Sequence, residues 1–162
     1  TCTGKTTYLL ALNSAEDATV VTTTLPPDAD PLVQKAGDDP EALIAARKES
    51  QVTEYYYEGT PVAGKITQLY GDSLNFDTAP YRQHFDLLFI DGAHAASYVK
   101  SDSKKAFEMV APGGLIIWHD YAPQMPGVWD SLNELKAQGY DLKHIKSTTM
   151  VAYRAPLSDA AA

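Results

Sequence analysis

The stretch from His84 to Tyr121, HFDLLFIDGAHAASYVKSDSKKAFEMVAPGGLIIWHDY, leaves few folds open. Asp86 to Ile90 is a short apolar run that reads as a fully buried strand, broken at the turn pair Asp91-Gly92. From about Ala95 to Val110 the spacing is helical, with Val99, Ala106, Met109 and Val110 on one side. Ala111-Pro112-Gly113-Gly114 stops the helix, because Pro cannot continue it and Gly permits the reversal. Leu115 to Trp118 is a second buried strand, ended by His119-Asp120-Tyr121. Strand, helix and strand of this length make a right-handed crossover with the two strands parallel. Their polar ends, Asp91/His94 and His119/Asp120, therefore meet at one sheet edge, the carboxyl edge where open α/β sheets bind ligands.

Composition narrows the function classes. A length of 162 residues suits one domain, expected over 1–155 with a disordered tail over 156–162. Thirteen basic against 21 acidic residues give a net charge of -8, which argues against nucleic acid as partner. A lone Cys2 excludes an internal disulfide framework and a Cys-based metal site. No apolar stretch approaches the roughly 18 residues of a membrane span. The expectation is a cytoplasmic protein without a membrane partner, acting on a small molecule, with a homo-oligomer left open. The sequence starts at Thr1 without Met, so an original start ahead of it is expected.

The remaining segments fit an α/β chain. Thr1-Cys2-Thr3-Gly4-Lys5-Thr6-Thr7 leads into a helical apolar run, Tyr8 to Leu12, and a Gly-rich turn at a helix start offers free N–H groups to an anion. Ala18 to Thr23 reads as a β-branched strand, and three prolines make Leu25 to Pro31 a loop. Asp39-Pro40 starts a helix running to about Glu49, with Asp39 as cap. Gln51 to Thr60, with Tyr55-Tyr56-Tyr57, is either an edge strand or a surface loop, and an aromatic substrate platform there is one option. Lys65 to Tyr70 is a strand ended by Gly71-Asp72-Ser73, which either faces the ligand edge or caps a short helix. Val128 to Gln138 is an amphipathic helix closed by Gly139, and Leu142 to Ile145 with Met150 to Tyr153 form a closing hairpin.

Asp91, His94, His119 and Asp120 are ligand-type side chains converging on one edge. Such a set suits Mg²⁺ or Mn²⁺ if oxygens dominate, and a heavier ion if both imidazoles bind. A metal holding a substrate hydroxyl would lower its pKa, and a neutral His is the natural group to take the proton. Asp102, on the face shared by Val99 and Ala106, should be partly buried and brace the loop carrying His94. The plainer alternative is that these side chains merely bond backbone at strand ends.

FIDGAH, Val99 and Asp102, APGG and IIWHDY, together with YGDS (Tyr70 to Ser73), LPPDAD (Leu25 to Asp30) and TCTGKTT, resemble the class I S-adenosylmethionine-dependent methyltransferases. More narrowly, they are similar to methyltransferase family 24, relatives of the macrocin-type sugar O-methyltransferases. The likeness covers Thr1 to about Val128. It implies a Rossmann-like three-layer sandwich, a mostly parallel sheet with an antiparallel hairpin at one edge, and S-adenosyl-L-methionine as cofactor. It further implies that Thr1, Thr3 and Gly4 belong to the loop at the methionine portion, that Thr24 lies at the ribose, and that Asp72 and Ser73 lie at the adenine. Asp91 would serve both cofactor and metal, His119 and Asp120 would complete a site for Mg²⁺ or another divalent cation, and His94 would be the general base. Two departures stand out: Thr24 replaces the usual ribose-binding acid, and the family's first strand, with its acid and further Gly, is not found ahead of Thr1.

Two rivals remain at this level. Gly4-Lys5-Thr6 with Asp91 could serve a P-loop NTPase, although that leaves His94, the Gly-Gly turn and His119-Asp120 without a role. A noncatalytic binding domain that kept the fold is the other.

Overall fold

The computed structural model describes residues 2–158. It divides into two compact units, one of residues up to Val33 with Ile44–Phe76, the other of Gln34–Leu43 with Asp77 onward.

In the first unit, α1 (Lys5–Asn13) packs on β1 (Val20–Thr24), which pairs in parallel with β2 (Ile66–Tyr70) from Val20↔Ile66 to Thr24↔Tyr70. Gly4 opens α1 at φ 72°, a left-handed conformation that suits glycine. A β-carbon there would stand 2.8 Å from the Tyr57 ring and 3.1 Å from Tyr55 Cβ, so only a bare backbone fits. The far end of α1 is closed by Lys65, whose Nζ donates to the carbonyls of Ala11, Ser14 and Ala15 at 3.2, 3.3 and 2.8 Å. Of the two options for residues 51–60, the loop is the one formed: turns bury Tyr55 and Tyr57 and expose Tyr56.

The unit boundary falls inside α2 (Pro40–Glu49), where Asp39 Oδ1 accepts from Glu41 N at 3.0 Å in the expected cap. The second unit then holds β3 (Phe85–Ile90), α3 (Ala96–Met109), β4 (Val110–Trp118), α4 (Pro126–Ala137), β5 (Lys143–His144) and β6 (Val151–Arg154). Its sheet order is β3-β4-β6-β5, with β3 and β4 parallel and both other pairings antiparallel. The crossover and the closing hairpin are thus as expected.

The described strands form two sheets with β3 at an edge, as expected of a chain lacking the family's first, middle strand. Two details differ from the sequence reading. With no strand on its outer side, β3 is only half covered, and Leu87 is 40% exposed. The Ala111–Gly114 turn is also absorbed into β4 as an irregularity: Phe85 pairs with Val110, but Leu87 pairs with Leu115. Gly114 permits this, since a β-carbon there would lie 2.9 Å from Ala111 O and 3.0 Å from Phe85 O.

The core of this unit lies between the sheet and the pair α3, α4. Ile116, Trp118, Val99, Ala106, Val128 and Leu132 are all at most 4% exposed. These are the alternate residues of β4 and the inward stripes of both helices, the positions where each period places them.

Candidate active site

The ends of β3 and β4 carry the chemistry. His119 N donates to Ile90 O at 3.0 Å, extending the parallel ladder one residue beyond Trp118, and Tyr121 N donates to Thr149 O at 2.8 Å. Between these fixed points Asp120 takes φ 57°, a left-handed conformation that Asp tolerates better than most residues. Strain of this kind gathers where a side chain must be aimed.

The Asp120 carboxylate is aimed at two imidazoles. Its Oδ2 lies 2.9 Å from His94 Nε2 and 3.0 Å from His119 Nδ1. His119 Nδ1 is also 3.4 Å from Asp91 Oδ1. That nitrogen is buried, yet neither approach has hydrogen-bond geometry, so it faces two carboxylates without a hydrogen-bond partner among the described residues. Ligand atoms of Asp91, His94 and Asp120 all lie within 4.8 Å of one another. Donors sharing one divalent ion at bonds of about 2.1 Å stand about 3.0–3.4 Å apart, close to the contacts at Asp120 and His119. The donor set therefore fits a divalent cation, and its mixed nitrogen and oxygen character suits Mn²⁺ or a heavier ion better than Mg²⁺.

Asp102 is half-buried on α3, and a β-carbon at Gly92 would lie 3.5 Å from its Oδ2, so the carboxylate rests against the turn that leads to His94. This is the placement the helical spacing predicted.

Of the residues expected at the cofactor, Thr1 lies outside the described residues, and the others fall in the first unit, except Asp91. Thr3 is exposed beside Gly4, and its carbonyl accepts from Tyr56 N at 3.0 Å. Thr24 ends β1, with its carbonyl accepting from Gly71 N at 2.9 Å. Asp72 Oδ1 accepts from Leu74 N at 2.9 Å, capping the short 3₁₀ turn Ser73–Asn75.

Sequence reasoning passed over Asp38. This carboxylate is 7% exposed and accepts from Ser97 N at 2.8 Å, Ser97 Oγ at 2.8 Å and Lys35 N at 2.9 Å. Burial opposes its ionisation. The hydrogen bonds from Ser97 and Lys35, with the Lys35 charge, outweigh that and hold the carboxyl below its ordinary value. Its neighbour Asp39 carries the visible cap-and-Pro signal, and nothing local marks a partner 59 residues away.

Comparison with known proteins gives the class. Residues 1–121 match the model of the family Methyltransf_24, described as a methyltransferase domain, and the chain belongs to that family. No curated protein matches it by sequence. Among solved structures, the O-methyltransferase NovP is similar at TM-score 0.62 and 18% identity over 91% of this chain and 64% of NovP. A candidate O-methyltransferase from Klebsiella pneumoniae is similar at TM-score 0.57 and 18% identity, over 95% of this chain and 70% of that one. MycE, a methyltransferase of the mycinamycin biosynthetic pathway solved with Mg, SAH and mycinamycin VI, gives TM-score 0.50 and 16% identity over 97% of this chain and 50% of MycE. The chain thus spans less than two thirds of NovP and half of MycE. Membership of this family sets aside the P-loop reading of Gly4-Lys5-Thr6.

Proposed function

We propose that the protein transfers a methyl group from S-adenosyl-L-methionine to a hydroxyl oxygen of a small molecule, with a divalent cation assisting. The observation that carries this is the convergence of His94, Asp120, His119 and Asp91 at the ends of two parallel strands. His94 accepts the hydroxyl proton as the acceptor oxygen attacks the sulfonium methyl; the O–CH₃ bond forms, the S–CH₃ bond breaks, and S-adenosylhomocysteine leaves. Asp120 orients the imidazole and stabilises its protonated form, at a heavy-atom separation of 2.9 Å. A cation held by Asp91, Asp120 and His119 would supply Lewis acidity toward the acceptor hydroxyl. Thr1, Thr3, Gly4, Thr24, Asp72, Ser73 and Asp91 are assigned to the cofactor.

The mutual proximity of Asp91, His94 and Asp120 favours a second assignment, in which His94 is a metal ligand in place of His119. A nitrogen bound to metal cannot also take the proton, so the two assignments exclude each other. The test is titration with S-adenosylhomocysteine and with Mn²⁺, for the wild type and for His94→Ala and His119→Ala. If His94 is the base, His119→Ala loses the metal and His94→Ala retains it; the reverse pattern makes His94 the ligand. A wild type that binds neither S-adenosylhomocysteine nor metal would overturn the reading.

A further inference from the structure

Helix α3 begins directly after the site residue His94, but its own start is poorly equipped. The residue in the cap position is Ala95, which has no side-chain oxygen to offer the orphan N–H groups of the first turn. Asp38 supplies what Ala95 lacks. Its two oxygens take the Ser97 N–H and the Ser97 hydroxyl, both at 2.8 Å, while Lys35 N fixes the carboxylate from its other side at 2.9 Å. A negative charge at this end of a helix is also favoured by the helix dipole.

The same short peptide is gripped from α4. Gly127 lies in that helix's first turn, and a β-carbon there would collide with His94 O and press on Ala96 N at 2.8 Å and on Ala95 C at 3.2 Å. All three are backbone atoms that cannot swing aside. Between the two grips Ala95 is fully buried.

We propose that Asp38 and Gly127 are positioning residues for His94, setting the backbone from which the imidazole reaches Asp120. Neither touches the reacting atoms. The proposal rests on the reading of His94 as a site residue, but its test does not depend on that reading.

The experiment compares wild type with Asp38→Ala, Asp38→Asn, Ser97→Ala and Gly127→Ala by amide hydrogen exchange and by imidazole NMR. The chain has four histidines, and His84 and His144 serve as internal controls. Asp38→Ala should speed exchange at the amides of 95–98 at least tenfold while the β4 amides keep their protection. The His94 ring signals should shift, and those of His84 and His144 should not. Ser97→Ala keeps the N–H contact and should fall between, and Asp38→Asn, which restores an acceptor, should recover part of the protection. Gly127→Ala should move the same His94 signals. Uniform acceleration across β4, or an unshifted His94 ring with unchanged exchange at 95–98, would overturn the proposal. Loss of Mn²⁺ binding by the wild type would count against the site reading and leave this result standing.

Discussion

The indole of Trp118 donates from Nε1 to the hydroxyl of Ser103 at 2.9 Å, and Ser103 in turn donates to Val99 O at 2.6 Å. This chain ties the last residue of β4 to the middle of α3, both fully buried, one residue before the site begins. Ser103→Ala strands a buried N–H. It should lower stability by about 1–3 kcal/mol, read as a fall in the denaturation midpoint without a change in slope. An unchanged midpoint would mean that water replaces the hydroxyl.

His94→Ala should reduce methyl transfer by about 10²–10⁴-fold, the usual contribution of a positioned base. Affinity for S-adenosylhomocysteine should stay nearly intact, since the base acts on the acceptor hydroxyl rather than on the cofactor. The measurement is turnover with radiolabelled cofactor against a panel of hydroxyl acceptors, beside calorimetric titration. Equal loss of turnover and cofactor affinity would remove His94 from the base role.

Gly4→Ala should be costly twice over. Alanine at φ 72° loses roughly 1–2 kcal/mol to the left-handed backbone, and its methyl meets the buried Tyr57 ring. The expected result is a clearly lower melting temperature together with lost S-adenosylhomocysteine binding. Retention of both would show that the turn re-forms around the methyl.

The Tyr57 hydroxyl donates to Gln68 Oε1 at 2.7 Å, and burial, with Tyr70 and Glu58 adding to it, pushes its pKa up to about 12. Burial likewise raises Tyr55, helped by the Tyr70 phenol. A pKa raised above the unfolded value of about 10 means stability that is complete below pH 10 and lost as pH climbs toward 12. Ultraviolet titration should therefore show two late-ionising tyrosines, coincident with alkaline unfolding. Tyr57→Phe should flatten that part of the stability profile.

Asp38 gives the opposite sign. Its carboxyl is held below the ordinary value, so its contribution is present above about pH 4 and disappears as pH falls through the folded value. Asp38→Asn should be less stable at neutral pH, and its curve should lose steepness in the acid range. Parallel curves for the two proteins would exclude this linkage.

The crossover from β3 to β4 and the four converging side chains were legible because their signals are local. Apolar runs, a Pro-Gly-Gly stop and polar residues at strand ends can each be read within a few positions. Asp102 was legible for the same reason, lying on a helical face set by Val99 and Ala106. Asp38 was not, because its meaning depends on Ser97, and no periodicity joins the two. Leu87 misled: an apolar run predicts a covered strand, whereas coverage depends on which strands lie beside it. The choice between His94 and His119 as ligand was equally beyond reach, since it turns on ring orientation.

The division of the chain carries a consequence for anyone wishing to dissect it. Residues 34–43, which include Asp38, belong to the second unit, yet they interrupt the sequence of the first. A fragment starting at Asp77 would contain Asp91, His94, His119 and Asp120 and still lack the carboxylate on which α3 begins. A ribosome must likewise finish most of the chain before Ser97 can meet a partner made 59 residues earlier. Splitting this protein at the visible boundary near Phe76 should yield two fragments that recover the site only when they are mixed.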